Sequence, residues 1–290
     1  MAETRGEETV GLERRRAWVS VVLHALLIGA SIVMLYPLLW MLSASFRPEE
    51  EIFSSTSLIP SAVSLDAYVR GWFGLRVDFG TFFWNSLVIS VLSVIGNVMA
   101  CSLAAFAFAR LQFRGRNFWF AIMLGTLMLP YHVTLIPQYV LFLNLGWVGS
   151  MLPLVVPKFM AVDAFFIFLM VQFFRGIPRE LHEAALMDGC SAWRIYWRIM
   201  LPLSLPVLAT AAIFTFIWTW DDFFGPLIYL TDMRDYTVQL GLRSFVDSTG
   251  LSDWSGLFAM SILSLIPVFF FFLFFQRLLI EGIATTGIKR

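Results

Sequence analysis

Asp163, Asp221 and Asp222 stand in otherwise apolar stretches, where an ionised side chain costs about 2.5–3.5 kcal/mol on insertion scales. Carboxylates kept at that cost are paired, line water or act on a solute. Asp163 follows Lys158 by five residues, so it either faces a solute route or is neutralised by a neighbouring helix. Trp218, Trp220, Asp221 and Asp222 together offer aromatic faces for the apolar side of a solute and carboxylates for its hydroxyl groups. The same four residues also suit an aromatic belt at the membrane surface with carboxylates reaching external water. Carboxylates whose pKa values are pushed apart can do acid–base work as well, so an intramembrane enzyme using the three aspartates is an alternative.

No complete catalytic or metal-binding set accompanies them. His182-Glu183 begins like the zinc motif His-Glu-x-x-His, but Leu186 occupies the second ligand position. His24, His132 and His182 lie in separate segments, and no Gly-x-Ser-x-Gly elbow occurs. The only lysines, Lys158 and Lys289, follow Pro157 and Ile288, so a phosphate-binding Gly-x-x-x-x-Gly-Lys loop is missing. Catalytic residues, a metal site and a bound cofactor are therefore not expected in this chain.

The stretch from Arg175 to Pro202 has a different chemistry. Pro178 suits a first helical position, Glu180 and Glu183 suit the positive end of a helix dipole, and Gly189 suits a left-handed stop. These signals predict a helix over about 178–188, then a break and a second helix. Barely ten residues are too few to hold a helix alone in water. Leu181, Ala184 and Ala185 share a low-profile face, and Glu183 and Asp188 can accept hydrogen bonds at its edge. Membrane-surface helices are usually basic, whereas the first half of this one is acidic, which favours docking into a protein cleft.

The elements that must position these residues follow from composition. The chain is 59% apolar, with mean hydropathy +0.79 and only 14% charged residues, beyond what one soluble core can hide. Charged residues cluster, leaving segments near the roughly 20 apolar residues that cross a hydrocarbon core. Six spans are expected, at about 17–45, 81–109, 117–143, 151–174, 201–225 and 256–276, within a permease domain over 17–290 that follows a cytoplasmic tail at 1–16. With the N-terminus inside, the inner segments hold fourteen basic residues and the outer segments six, which favours both termini inside. The loops at about 46–80 and 226–255 then face outward, and 175–200 faces the cytoplasm. Gly96, Ala100 and Ala104 place a small residue every four in the second span, suited to close helix approach. Pro130, Pro137, Pro153 and Pro157 predict kinks or half-helices. Twenty basic and twenty acidic residues give no field for nucleic acid, and Cys101 and Cys190 imply no disulfide.

Glu183-Ala184-Ala185, Asp188-Gly189 and Ile199-Met200-Leu201-Pro202 together resemble the EAA loop of ATP-binding-cassette importer permeases, in the carbohydrate-uptake version. The likeness continues through Asn85-Ser86, Ala105-Phe106-Ala107-Phe108-Ala109-Arg110, Arg114-Gly115-Arg116, Leu129-Pro130, Ile136-Pro137 and Ile177-Pro178-Arg179-Glu180. The tail Gln276-Arg277, Glu281-Gly282 and Gly287 is similar to that of the maltose-type second permease subunit. Asp221 departs from the pattern, standing where the family usually has asparagine.

The resemblance implies the all-α type I importer permease fold in a bacterial cytoplasmic membrane. It implies three kinds of partner besides membrane lipid: a second permease subunit, two ATPase subunits that bind ATP-Mg, and an external solute-binding protein. In that family the loop carrying Glu183, Ala184, Ala185, Asp188 and Gly189 inserts into the ATPase and transmits its motion. The expected function is thus import of a sugar or related polyol. A membrane anchor that holds an ATPase without moving solute is a further alternative.

Overall fold

In the computed structural model, residues 2–54, 57–246 and 252–287 are described, and among them no strand occurs. The helices are α1 (Ala2–Ala44), α2 (Asp66–Phe73), α3 (Phe79–Arg110), α4 (Arg116–Thr126), α5 (Tyr131–Asn144), α6 (Leu152–Val155) and α7 (Ala164–Gly176). They continue as α8 (Arg179–Met187), α9 (Ala192–Ile195), α10 (Leu201–Leu203), α11 (Leu205–Trp220), α12 (Phe224–Tyr229), α13 (Val238–Arg243) and α14 (Trp254–Gly287). Contacts divide the chain into two compact units, Met1–Gly71 with Asp253–Ile262, and Trp72–Ser252 with Leu263–Arg290.

Four stretches are long and apolar enough to cross a membrane: Trp18–Ala44, Phe79–Arg110, Leu152–Gly176 and Trp254–Leu278. A fifth forms if Ala192–Leu203 and Leu205–Trp220, bent by 78°, are one broken span. The expected third span is realised as α4 and α5, eleven and fourteen residues long. Pro130 sits in extended conformation immediately before α5, and a residue preceding proline is itself driven from helical angles, so the chain breaks at 127–130. Pro153 and Pro157 fall in the opening turns of α6 and of the 3-10 turn Val156–Met160, where a missing N–H costs little. A further interruption at Ala161, in left-handed conformation with φ +53°, separates that turn from α7.

In the first unit, residues 18–39 of α1 are all exposed, so the Leu, Ile and Val side chains there are left to lipid. Past its end, the Ser45 hydroxyl and the Tyr68 phenol share a hydrogen bond of 2.8 Å. Arg70 donates to Ser255 at 2.9 Å and lies 3.9 Å from the Asp253 carboxylate, and Glu49 accepts from the Trp254 backbone N–H at 3.1 Å. These bonds tie the 46–71 segment to the start of α14.

The second unit is built round α3. At 1.5 Å per residue its 32 residues reach about 48 Å, more than a hydrocarbon core of about 30 Å. Between Phe82 and Phe106, themselves buried, its inward face is mostly polar and small, with Ser86, Ser90, Ser93, Gly96, Asn97 and Ser102 buried, whereas Val91, Leu92, Ile95 and Met99 are exposed. That reverses the soluble pattern, because lipid gives apolar side chains no reason to hide and interior hydrogen bonds and close approach must hold helices together. Asn97 donates to Thr215 of α11 at 2.7 Å, and the Ser102 hydroxyl pairs with the Tyr196 phenol at 2.7 Å. At the other end Asn85 donates to the carbonyls of Arg234 and Tyr236 at 2.7 and 3.0 Å, and Ser86 accepts from the Val238 N–H at 2.8 Å.

Of the three small residues expected to allow close approach, Gly96 is the one pressed hardest. A methyl group there would stand 2.5 Å from the Phe159 ring, while Ala100 and Ala104 are only half-buried. Gly96→Val must displace that ring, and overpacking of this kind costs about 1–3 kcal/mol. A lowered melting midpoint in detergent is expected, with Ala100→Val nearly silent.

Candidate functional site

The motif loop is shaped by local chemistry at each corner. Pro178 lies just outside α8 rather than inside its first turn, with ψ of 135°. At the far end Gly189 has φ of +74°, the left-handed region that a Cβ disfavours. The Gly189 N–H donates to Leu186 O at 3.0 Å and the Cys190 N–H to Ala185 O at 2.9 Å, the paired bonds of a Schellman stop. Ser191 then caps α9, its hydroxyl accepting from the Arg194 N–H at 3.4 Å, and a π turn over Tyr196–Met200 leads to α10. The helix, break and second helix read from the residues are all present.

Ala185 is only 4% exposed and packs into a core cluster with Phe106, Phe174, Ile195 and Tyr196. Glu183, Ala184, Asp188 and Gly189 are exposed, as are Leu181 and Leu186, and Met187 is 89% exposed. The face expected to be shared by Leu181, Ala184 and Ala185 is thus divided. Ala185 anchors α8 to its own chain, while Ala184 stands with Glu183, Met187 and Asp188 on the open side. A small side chain at 185 lets the helix lie close to α9; a small one at 184 leaves a shallow step beside two carboxylates.

Arg110, the last residue of α3, does work that the sequence reading did not assign to it. Its guanidinium donates to Phe174 O at 2.6 Å and to Ile177 O at 2.5 Å. It thereby closes the carbonyl end of α7 and fixes the entry to α8. The available signal was a basic residue ending a long apolar helix next to a loop with free carbonyls. Arg175 lies over the Phe120 ring at 5.2 Å, joining α7 to α4.

His182 packs its ring 6.4 Å from that of Phe106, and its buried Nδ1 has no hydrogen-bond partner among the described residues. Burial first and the Arg110 guanidinium second push its pKa below the ordinary histidine value, against an upward pull from Glu183. A histidine with a depressed folded pKa takes up protons more readily when unfolded. Its neutral packing is therefore fully available above about pH 6.5 and weakens as pH falls below it. His182→Phe is expected to reduce the loss of melting midpoint between about pH 7.5 and about pH 5.

The residues proposed for a solute route separate into different environments. Asp163 is neutralised by Lys158 in its own segment, Nζ to Oδ2 at 2.9 Å, rather than by another helix, because the break at Ala161 folds the chain back between them. Trp220 is 1% exposed, its indole N–H donates to Ser264 O at 3.0 Å, and its ring stacks on Phe216. It is a core residue of the second unit and is not open to solute. Trp218, by contrast, is 52% exposed and lies against Phe166 and Phe214. Asp221 is exposed and accepts from Gln239 at 3.4 Å. Asp222 accepts from the N–H groups of Phe224 and Gly225 at 3.1 Å, capping α12. Trp218, Asp222 and Lys158 line one cavity of about 100 Å³ with Thr219 and Thr237. Asp163 is thus engaged by Lys158, and Asp222 by two backbone donors. Among the described residues no group of three His, Cys, Asp or Glu side chains is placed to hold a metal ion.

The all-helical chain, with stretches long and apolar enough to cross a membrane and a short exposed helix hung from the end of α3, has the fold of a type I importer permease. It superposes on a chain from the crystal structure of a bacterial ABC transporter involved in import of the acidic polysaccharide alginate. The TM-score is 0.78 at 24% identity, over 89% of this chain and 96% of that one. Residues 96–285 match the family of binding-protein-dependent transport system inner membrane components, and the chain belongs to that family. It is 32% identical over 272 residues to a probable ABC transporter permease protein of Bacillus subtilis, covering 94% of this chain and 87% of the relative. It is 34% identical over 260 residues to the arabinooligosaccharides transport system permease protein of Halalkalibacterium halodurans, covering 89% and 92%. It is 32% identical over 268 residues to the trehalose/maltose transport system permease protein of Thermococcus litoralis, covering 91% and 96%. The chain is thus a multi-pass transport permease component of the plasma membrane and not an enzyme.

Proposed function

We propose that this chain is the transmembrane subunit of an ATP-driven importer for a sugar or related polyol, receiving solute from an external binding protein. It pairs with a second permease subunit and two ATPase subunits, and those ATPases hold the ATP-Mg. Both termini and the 175–200 loop lie on the cytoplasmic side, in keeping with the bias of basic residues. The oligosaccharide and disaccharide systems named for its relatives support the solute class.

The observation that carries the reading is α8 itself. It is a nine-residue helix, stopped by Gly189 and pinned through Ala185, with Glu183, Ala184 and Asp188 exposed. Such a helix fits a cleft of an ATPase, and movement of that cleft reaches α3, α7 and α11 through the core cluster round Ala185. Glu183, Ala184, Ala185, Asp188 and Gly189 are the coupling residues in this reading. Trp218 and Asp221 are the best-exposed side chains for solute contact, with Trp220 holding their helix and the Asp163–Lys158 pair and Asp222 shaping the adjoining cavity.

An affinity screen of the cognate binding protein against di- and oligosaccharides and polyols, followed by uptake of the best hit in proteoliposomes of the assembled complex, tests this. ATP-dependent uptake of a sugar or polyol is expected. Uptake confined to an amino acid or a peptide would overturn the solute class, and full uptake by complexes carrying Asp188→Arg would overturn the coupling assignment.

A further inference from the structure

The segment after Gly189 has a surface that the coupling reading does not use. Ala192–Leu203 runs at 78° to Leu205–Trp220. Spans tilt by about 20° on average, so if α11 crosses the bilayer, this segment lies within about 30° of the membrane plane. Ile195, Tyr196 and Met200 face the protein core. Round the helix from them come Trp193, 60% exposed, and Trp197, 44% exposed, one turn apart with ring centroids 5.7 Å apart. Next come Arg194 and Arg198, both exposed. No acidic residue occurs between Cys190 and Leu203, and among the described residues neither arginine has a salt-bridge partner. Leu203 and Leu205, at the turn into α11, are exposed as well.

We infer that Ala192–Leu203 is an interfacial helix that binds anionic phospholipid headgroups on the side of the coupling loop, with Arg194 and Arg198 on the phosphates and Trp193 and Trp197 at the boundary with the acyl chains. Indole rings collect at that depth, and paired arginines facing an acid-free surface complement anionic lipid. Tyr196, stacked on Trp193 at 5.8 Å and bonded to Ser102, connects this anchor to α3. The inference concerns lipid and holds whichever solute is carried.

The test uses the purified assembled transporter in nanodiscs of phosphatidylcholine containing about 30% phosphatidylglycerol. Lipids retained after extraction are counted by native mass spectrometry. Arg194→Gln with Arg198→Gln is expected to retain at least about fivefold less phosphatidylglycerol, and Arg194→Lys with Arg198→Lys to retain most of it. Equal retention by wild type and the glutamine pair would overturn the inference. So would loss of the ATPase subunits from the glutamine pair with lipid retention unchanged, which would assign the arginines to a protein contact. If the glutamine pair does not assemble, wild-type retention in rising salt decides, since headgroup binding through exposed charges must fall with ionic strength.

Discussion

Gly189→Val is expected to abolish most solute-stimulated ATP hydrolysis and uptake, while Gly189→Asn retains a substantial share of both. Nothing lies within 4 Å of a Cβ built at this position, so a β-carbon meets no neighbour there. Its cost is conformational: φ is +74°, and an L-residue there pays roughly 1–2 kcal/mol, more when β-branched. That shifts the population of the loop geometry by about 5- to 30-fold. Relief by rotating out of the left-handed region breaks the bonds from Gly189 N–H to Leu186 O and from Cys190 N–H to Ala185 O, and the chain leaves α8 in another direction. Asparagine tolerates left-handed angles through its short polar side chain. The measurements are ATPase activity with loaded binding protein, and uptake, on the assembled complex. If valine and asparagine behave alike, backbone geometry at 189 does not govern coupling.

The second large effect is expected at Arg110. Replacement by methionine leaves the carbonyls of Phe174 and Ile177 without their charged donor, a loss of about 1.5–3 kcal/mol for each such bond before any water replaces it. It also removes the positive charge that favours the end of α7. Lysine restores the charge but not the two-pronged geometry, so Arg110→Lys should fall between wild type and Arg110→Met. A lowered melting midpoint together with ATP hydrolysis less dependent on solute is the expected pair of results. A variant that melts lower but stays fully solute-dependent would confine Arg110 to stability.

Much of this was legible in the residues, because membrane helices and helix stops have strong local causes. The extent of α3 from Phe79 to Arg110, close to the expected 81–109, the end of α8 before Gly189 and the apolar length of α14 follow from side-chain type alone. Facing was less accessible. Nothing in the local pattern separates Trp218, which is exposed, from Trp220, which is buried with its N–H bonded to Ser264; that outcome depends on a helix 44 residues further on. Ala184 and Ala185 likewise part company because Phe106 and Ile195 reach one of them only. The break at Ala161 carries no proline or glycine, so a single span through Asp163 was the natural expectation, and the Lys158 pairing came from the fold-back. The third span shows the converse, since Pro130 signalled an interruption that the hydropathy of 117–143 concealed.

The two ends of α3 are fastened to opposite extremities of its unit. Asn85 and Ser86 grip the 234–238 segment, and Arg110, 24 residues and about 36 Å further along, grips the junction of α7 and α8. A continuous helix without internal proline is stiff over that distance. The margins of the bilayer are therefore mechanically indentured to each other, and a tilt imposed at one surface must be answered at the opposite one within the same movement.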